Sequence, residues 1–350
     1  MRKTSIIISC IALVAIAFSA GCGGSVPISV SSSVPAPYES APTGTVVTAE
    51  YTELAPRIDG VASELDEAWT NAQSTIVKVS DSANTYEVTL KAAFDDENFF
   101  LLATWKDESM DIGGKPWEVR EGGTFKSGTS LPKQDMFALG FEASPIKEFT
   151  KQGCSVLCHD NSYMATNDKG EFIDIWTWMS AESGQLGTAN DYVVGPLANS
   201  VDPKGETFET TSAYSYFPGS LYLNKRNARS PEFMQRLTIP YSLMTIGDLS
   251  KMVEVPADTT GLPAGLMVPY YIKNPGTGDV ACQAKYDEQA KAWTVEFKRK
   301  LVTANPTQVQ FAHKLEDGGF YLFGLSLFDN QKGVSHVYTT EPVSLEFSGK

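Results

Sequence analysis

Apolar and polar residues alternate along several stretches of this chain, with the period of two that is typical of half-buried β-strands. Residues 86–94 alternate in this way, and an acidic turn follows at 95–98. The next run, 99–105, is almost continuously apolar, which is the pattern of a more deeply buried strand. The sequence therefore predicts a β-hairpin over residues 86–105.

Further strands are predicted along the rest of the chain, and helices are scarce. The predicted strands are 137–141, 293–297, 320–328 and 343–347. Only residues 62–71 predict a helix, and it is short. The stretches 106–133 and 160–260 are polar and Gly-rich, which predicts long loops with short strands. We therefore expect an all-β protein, with one antiparallel β-sandwich domain over residues 49–350 and a pocket beneath its loops.

The N-terminus has the organisation of an export signal. Arg2 and Lys3 precede a short apolar stretch, 6–18, and small residues lead to Cys22. This arrangement predicts a signal peptide over residues 1–21. The cysteine after small residues resembles the lipobox of bacterial lipoproteins, which implies lipidation at Cys22 and attachment to the outer membrane, on its periplasmic or cell-surface side. The alternative is an ordinary signal peptide that leaves Cys22 without lipid.

The charge balance restricts the partners of the protein. Lys and Arg total 28 against 42 Asp and Glu, a formal net charge of −14. Phosphate backbones repel so acidic a chain, which argues against nucleic-acid binding. Residues 22–48 are rich in Ser, Pro, Gly and Val and contain no Lys or Arg, so they predict an unfolded tether. Membrane attachment is then expected from acyl chains at Cys22, not from attraction to anionic lipids.

The motif with the clearest chemistry is Cys154, Cys158 and His159, a CxxxCH sequence. Haem attachment in c-type cytochromes needs two thiols for the two vinyl groups and a histidine directly after the second thiol. The usual spacing has two residues between the cysteines, and here there are three. A local disulfide, a zinc site that uses His159, and chance spacing are the alternatives. Cys282 stands alone and is predicted to be a buried thiol.

Several short motifs together resemble the haem-binding domain family of the ethylbenzene dehydrogenase gamma subunit, which includes cytochrome c-552-like proteins and the related domains of dimethyl sulfoxide reductase-type complexes. The matching motifs are residues 57–60, 67–69, 99–107, 134–139, 174–178, 293–301 and 327–347. The resemblance extends over about residues 51–347. It implies an immunoglobulin-like β-sandwich that holds one haem between loops at one end.

The resemblance also implies where the haem ligands lie. In the gamma subunits the haem is non-covalent, with a Met just before the motif that corresponds to residues 174–178 and a Lys near the C-terminus as axial ligands. Here the corresponding upstream segment carries Cys154, Cys158 and His159, and the C-terminal position lies close to His336. The expectation is therefore one covalently attached haem c, with iron ligated by His159 and His336. His313, Met164 or an open position are the alternatives to His336.

These observations lead to a functional prediction with two alternatives. The expected protein is a lipid-anchored monohaem c-type cytochrome, an electron-transfer protein without enzymatic activity that exchanges electrons with redox partner proteins. The oligomeric state is left open. One alternative is a haem-free carbohydrate- or ligand-binding module, in which Trp176 and Trp178 stack on the ligand. The other is a haem subunit of a molybdoenzyme complex, which would co-purify with a catalytic subunit.

Overall fold

Strands form most of the computed structural model. It describes residues 44–112, 117–127, 134–159, 163–168, 170–181, 184, 187–196, 215–216, 221–235, 247–248, 252–268, 271–273, 279–311, 319–331 and 336–349. All of these residues fall within one compact unit. The predicted signal peptide and Cys22 lie outside the described residues. Within the described part of the chain, no helix is long and apolar enough to cross a membrane.

The helices are short, as the sequence predicts. They are α1 (Glu67–Asn71), α2 (Phe149–Gln152) and the 3₁₀-helices η1 (Glu121–Gly123) and η2 (Gly153–Leu157). The strands up to residue 200 are β1 (Val46–Tyr51), β2 (Thr75–Ser80), β3 (Thr85–Phe94), β4 (Asn98–Lys106), β5 (Trp117–Val119), β6 (Phe125–Ser127), β7 (Gln134–Glu142), β8 (Cys158–His159), β9 (Tyr163–Met164), β10 (Ile173–Met179) and β11 (Asn190–Val194).

The remaining strands include the longest one in the described chain, β21. They are β12 (Ser215–Tyr216), β13 (Leu221–Leu223), β14 (Phe233–Gln235), β15 (Gly247–Asp248), β16 (Met252–Glu254), β17 (Met267–Val268), β18 (Tyr271–Lys273), β19 (Ala281–Asp287), β20 (Ala292–Lys300), β21 (Phe320–Gln331), β22 (Val337–Tyr338) and β23 (Val343–Phe347). The short strands from β12 to β16 lie in the stretch 160–260, for which the sequence predicts loops and short strands.

The long strands form two layers. The first sheet has the order β12-β11-β10-β7-β21, and the second has the order β2-β3-β4-β20-β19. Two chains of strand pairing join the layers along one side. In the first, β21 pairs with β22 and β22 pairs with β2. In the second, β21 pairs with β23, β23 pairs with β1, and β1 pairs with β3. Pairing within these two layers is antiparallel; the parallel pairings between described strands are those of β1 with β23 and β3, and that of β15 with β18 in a small separate sheet. The prediction of an all-β antiparallel sandwich is confirmed.

The predicted hairpin over residues 86–105 is formed by β3 and β4. Phe94 pairs with Phe99 beside the turn, where Asp95 Oδ1 accepts hydrogen bonds from the backbone N–H groups of Glu97 (2.8 Å) and Asn98 (2.6 Å). The domain begins slightly earlier than residue 49. Strand β1 starts at Val46, inside the predicted tether, because parallel pairing with β23 orders it.

Aromatic side chains fill the space between the two sheets. Trp105 of β4 stacks on Phe137 of β7 with ring centroids 5.3 Å apart. Trp176 lies 6.4 Å from Phe297 of β20. Both Trp176 and Trp178 are in this core, with exposed fractions of 0% and 1%. They are therefore packing residues, and neither is available to stack on a carbohydrate. Cys282 is also fully buried, as predicted.

A buried ion pair joins the two layers. Arg299 Nη1 of β20 lies 2.6 Å from Asp174 Oδ2 of β10, and both side chains have no exposed surface. The Val309 N–H donates to the same oxygen at 3.0 Å, and the guanidinium lies 4.8 Å from the Trp176 ring centroid. The two residues belong to two of the short motifs that carry the family resemblance. Those motifs thus contribute to the core.

Candidate functional site

The predicted haem residues differ in how much of them the structure describes. Cys154 and His336 are described with their side chains. Cys158, His159 and Met164 are described by their backbone alone, and Cys22 and His313 lie outside the described residues. The geometry of the candidate site therefore depends on Cys154 and His336.

The segment that carries Cys154 packs on the outer face of the first sheet. Phe149 of α2 and Leu157 of η2 are fully buried there, in a cluster that includes Ile173 of β10 and Leu322 of β21. Cys154 is half-buried against the same cluster. Two apolar anchors, one on each side of Cys154, thus fix the start of the CxxxCH motif to the sheet.

Two glycines leave space for the Cys154 sulfur against the sheet. Gly140 of β7 and Gly324 of β21 are directly paired. A Cβ added at Gly324 would lie 2.2 Å from Cys154 Sγ, and one at Gly140 would lie 3.7 Å from it. A side chain at position 324 would therefore displace Cys154. The absence of a side chain at Gly324 brings the sulfur close to the strand backbone.

The other two residues of the motif follow in a short two-stranded ribbon. Cys158 pairs with Met164, and His159 pairs with Tyr163. The ribbon continues directly from η2, and the Leu157 carbonyl accepts a hydrogen bond from the Ala165 N–H at 3.0 Å. The whole motif therefore lies along one margin of the sandwich, and Met164 belongs to the same ribbon as His159.

His336 lies against aromatic rings just before β22. Its ring stacks on Phe328 of β21, with centroids 4.8 Å apart and planes 26° apart, and it lies 5.5 Å from the Tyr338 ring. His336 Nδ1 is buried and has no hydrogen-bond partner among the described residues. Burial lowers the pKa of His336, so the imidazole is neutral at pH 7. A neutral imidazole is the form that ligates metals.

Cys154 and His336 approach the same face of β21. Phe323, Leu325 and Leu327 point into the core, so the alternate positions Gly324 and Phe328 share the outer face. These two positions are four residues apart, or about 13 Å along the strand. Cys154 contacts the first position and His336 contacts the second.

Small side chains cover the sheet between these two contacts. Ser326 of β21 pairs with Ala138 of β7, and both are half-buried. We name Gly140, Ala138, Gly324 and Ser326 the small-residue strip. It is bounded by the Cys154 sulfur at one end and by the rings of His336, Phe328 and Tyr338 at the other. Gly140 and Gly324 are buried beneath Cys154 and Ile173, whereas Ala138 and Ser326 are half-buried, so the partly exposed part of the strip lies towards His336.

A small open pocket adjoins His336. Asp81, Asn84, Tyr86 and Asp329 supply its polar lining. Burial, followed by the negative charges of Asp329 and Asp81, raises the pKa of Tyr86. The surroundings of His336 are therefore apolar on the sheet side and acidic on the pocket side.

Sequence reasoning missed a group of three aspartates that meet near this pocket. Asp107 follows β4, Asp135 lies on β7 and Asp329 lies on β21. One carboxylate oxygen from each lies within 4.8 Å of the other two. We name these residues the Asp cluster. Each stands near the end of a predicted strand, which is visible in the sequence, but their meeting depends on the order of strands in the two sheets.

The family model described as ethylbenzene dehydrogenase matches residues 43–339. No curated protein sequence matches the chain. A family 9 carbohydrate-binding module from Caldicellulosiruptor kristjanssonii, in complex with glucose, is 10% identical, with a TM-score of 0.35 over 87% of this chain and 97% of that one.

The same type of module in complex with cellotriose is 12% identical, with a TM-score of 0.34 over 87% of this chain and 95% of that one. TM-scores this low support no conclusion about a ligand. The family match is of a different kind, because it extends over most of the chain and includes Cys154, the small-residue strip and His336. This chain belongs to the ethylbenzene dehydrogenase family.

Proposed function

We propose that this protein is a lipid-anchored c-type cytochrome with one haem, which relays electrons in the periplasm or at the cell surface. The observation that carries the proposal is the position of Cys154 and His336. They are distant in sequence, yet both contact the outer face of β21, about 13 Å apart across the small-residue strip.

The residues present fit a haem c. Cys154 and Cys158 would form the two thioether links, His159 would ligate one side of the iron and His336 the other. The buried, unpartnered Nδ1 and the neutral state of His336 suit a metal ligand. Met164 shares a short ribbon with His159, which disfavours it as the ligand on the opposite side.

The environment of the site favours electron transfer. A haem would supply a one-electron couple, and ligation by two imidazoles gives it a lower potential than ligation by His and Met. Phe328 and Tyr338 hold the His336 ring in place, and the apolar cluster around Cys154 limits the access of water. Asp81 and Asp329 put negative charge beside His336, which opposes reduction and attracts basic partner proteins.

Family membership favours a second candidate function, a haem subunit of a molybdoenzyme complex. The two candidates differ in their partners. A subunit of this kind co-purifies with a catalytic subunit from its native membrane, whereas a free relay protein does not. The carbohydrate-binding alternative loses its two candidate ligand-stacking residues, because Trp176 and Trp178 are in the core.

The proposal is tested by covalent haem content. We expect protein produced with a cytochrome c maturation system to give a pyridine haemochrome spectrum and an intact mass that includes one haem. Cys154→Ala and Cys158→Ala should each lose most of the covalent haem. Cys282→Ala is the matched control, because it removes a core thiol outside the motif and should keep the haem. Wild-type protein without covalent haem would contradict the proposal.

The second axial ligand is tested by the spin state of the iron. His336→Ala should convert a low-spin absorption spectrum to a high-spin one, and His313→Ala should leave it low-spin. Gly324→Ala should reduce the covalent haem by displacing Cys154, whereas Gly261→Ala, where an added Cβ meets nothing within 4 Å, should not. An unchanged spectrum in His336→Ala rules out His336 as the ligand.

A further inference from the structure

The Asp cluster brings together carboxylates from both sheets of the sandwich. Asp135 and Asp329 belong to neighbouring strands of the first sheet, and Asp107 directly follows β4 of the second. Asp135 is fully buried, Asp107 is 5% exposed and Asp329 is half-buried. Three carboxylates within 4.8 Å of one another repel strongly in a site with so little water.

Asp107 has a buried oxygen that no described donor satisfies. Its Oδ1 accepts a hydrogen bond from the Ser109 N–H at 3.0 Å, whereas Oδ2 is buried and has no hydrogen-bond partner. Burial raises the pKa of Asp107 to about 7, and the negative charges of Asp135 and Asp329 act in the same direction. A buried carboxylate without a partner is costly, and a bound cation removes that cost.

The surrounding hydrogen bonds hold the carboxylates in place. Asp135 Oδ2 accepts from the Asp111 N–H at 2.8 Å and from Trp293 Nε1 at 3.0 Å. The backbone of Asp107 is fixed at both ends, because its N–H donates to the Lys291 carbonyl at 3.0 Å and its carbonyl accepts from the Tyr286 hydroxyl at 2.8 Å. Hydrogen bonds to neighbouring parts of the fold therefore hold Asp107 and Asp135 in place.

We propose that the Asp cluster binds one Ca²⁺ ion, which joins the two sheets at this end of the sandwich. Calcium lies 2.3–2.6 Å from its oxygen ligands, so two oxygens on one ion are separated by up to about 5 Å. The oxygens of the Asp cluster lie within 4.8 Å of one another, so one ion can contact all three. Magnesium gives up its water reluctantly and is usually held by one or two carboxylates with several waters, which suits a largely buried site of three carboxylates less well than calcium does. This site does not depend on the haem proposal.

The test is calorimetric titration of the full-length, EDTA-treated protein with Ca²⁺. We expect one site, a rise in the unfolding temperature when Ca²⁺ is added, and at least about tenfold weaker binding of Mg²⁺. Asp107→Asn should weaken Ca²⁺ binding at least about tenfold and remove the rise in unfolding temperature. Without metal, this variant should be at least as stable as the wild type, because a buried repulsive charge is gone.

Two further variants keep the test decisive. Asp329→Asn changes a half-buried position, should fold without difficulty, and should also weaken Ca²⁺ binding at least about tenfold. Glu288→Gln removes the same charge from a nearby exposed residue outside the Asp cluster and should bind Ca²⁺ as the wild type does. No Ca²⁺ binding by the wild type, unchanged binding in the two aspartate variants, or an equal loss in Glu288→Gln would overturn the proposal.

Discussion

Asp174 and Asp191 are neighbouring buried aspartates that hold opposite protonation states. Burial raises the pKa of Asp174, and the Arg299 guanidinium at 2.6 Å opposes that rise. Because a buried guanidinium stays charged and needs a counter-ion, we assign the negative charge to Asp174. Burial raises the pKa of Asp191 to about 11, and the Asp174 charge adds to the rise. Asp191 is therefore protonated at pH 7, with Oδ2 accepting from Gln308 Nε2 at 2.8 Å.

This assignment predicts different effects of the same substitution at the two positions. Asp174→Asn leaves the Arg299 charge buried without a counter-ion and should lower the free energy of unfolding by about 3–5 kcal/mol. Asp191→Asn keeps an oxygen for Gln308 and supplies an N–H donor in place of the carboxyl proton, so its cost should be below about 1 kcal/mol. Urea denaturation of both variants measures this, and equal losses would contradict the assigned protonation states.

At the scale of elements, one side chain attaches the N-terminal loop and α1 to the second sheet. Glu296 Oε2 of β20 accepts from the N–H groups of Asp59 (2.8 Å) and Gly60 (2.7 Å), and Oε1 accepts from Trp69 Nε1 (2.7 Å). Gly60 has a φ of +78°, and a Cβ there would lie 2.5 Å from the Ala284 carbonyl carbon. Three motifs of the family resemblance therefore meet at one carboxylate.

The burial of Glu296 predicts a pH-dependent contribution to stability. Burial raises its pKa from 4.5 to about 7, so the folded state holds this proton more tightly than the unfolded chain. That contribution is complete below about pH 4.5 and is lost as the pH rises through about 7. The unfolding free energy of the wild type, measured relative to that of Glu296→Gln, should therefore fall as the pH rises from 4.5 to 8. Glu288→Gln, the same substitution at an exposed position, is the matched control.

At the scale of the whole molecule, different interactions join the two layers of the sandwich at different places. One side is closed by the β22–β2 and β23–β1 pairings, and the core is held by aromatic packing and the Arg299–Asp174 pair. The proposed Ca²⁺ ion would act at one end. The first strand of the described chain, β1, begins at Val46, close to the end of the predicted tether. We therefore expect Cys22→Ala to leave the fold of the sandwich unchanged.

The anchor is tested by membrane fractionation. Cys22→Ala should move the protein from the membrane fraction to the soluble fraction, because it removes the acylation site, and should leave haem content unchanged. Cys10→Ala, which removes the other cysteine of the leader, is the matched control and should remain in the membrane fraction. Membrane retention of Cys22→Ala would show that lipidation at this position is not what attaches the protein.

The sequence by itself determined the strands of the sandwich and the family. Alternation predicts β3, β7, β20 and β23, because a strand that is buried on one face leaves a period of two in the sequence, and largely apolar runs predict the more deeply buried β4 and β21. The burial of Cys282 was likewise predictable, because a lone free cysteine is usually buried. Cys154, Cys158 and His159 were found because they are adjacent in the chain, and their role remains a prediction.

Only the tertiary structure decided which distant residues meet. Trp176 and Trp178 have the same alternation whether they line a groove or fill the core, and the packing of the second sheet over them puts them in the core. The packing of Cys154 against Gly324 and the approach of the three carboxylates of the Asp cluster both follow from the order of the strands. Periodicity depends on neighbours along one strand, whereas sites depend on which strands become neighbours, and local sequence does not specify that.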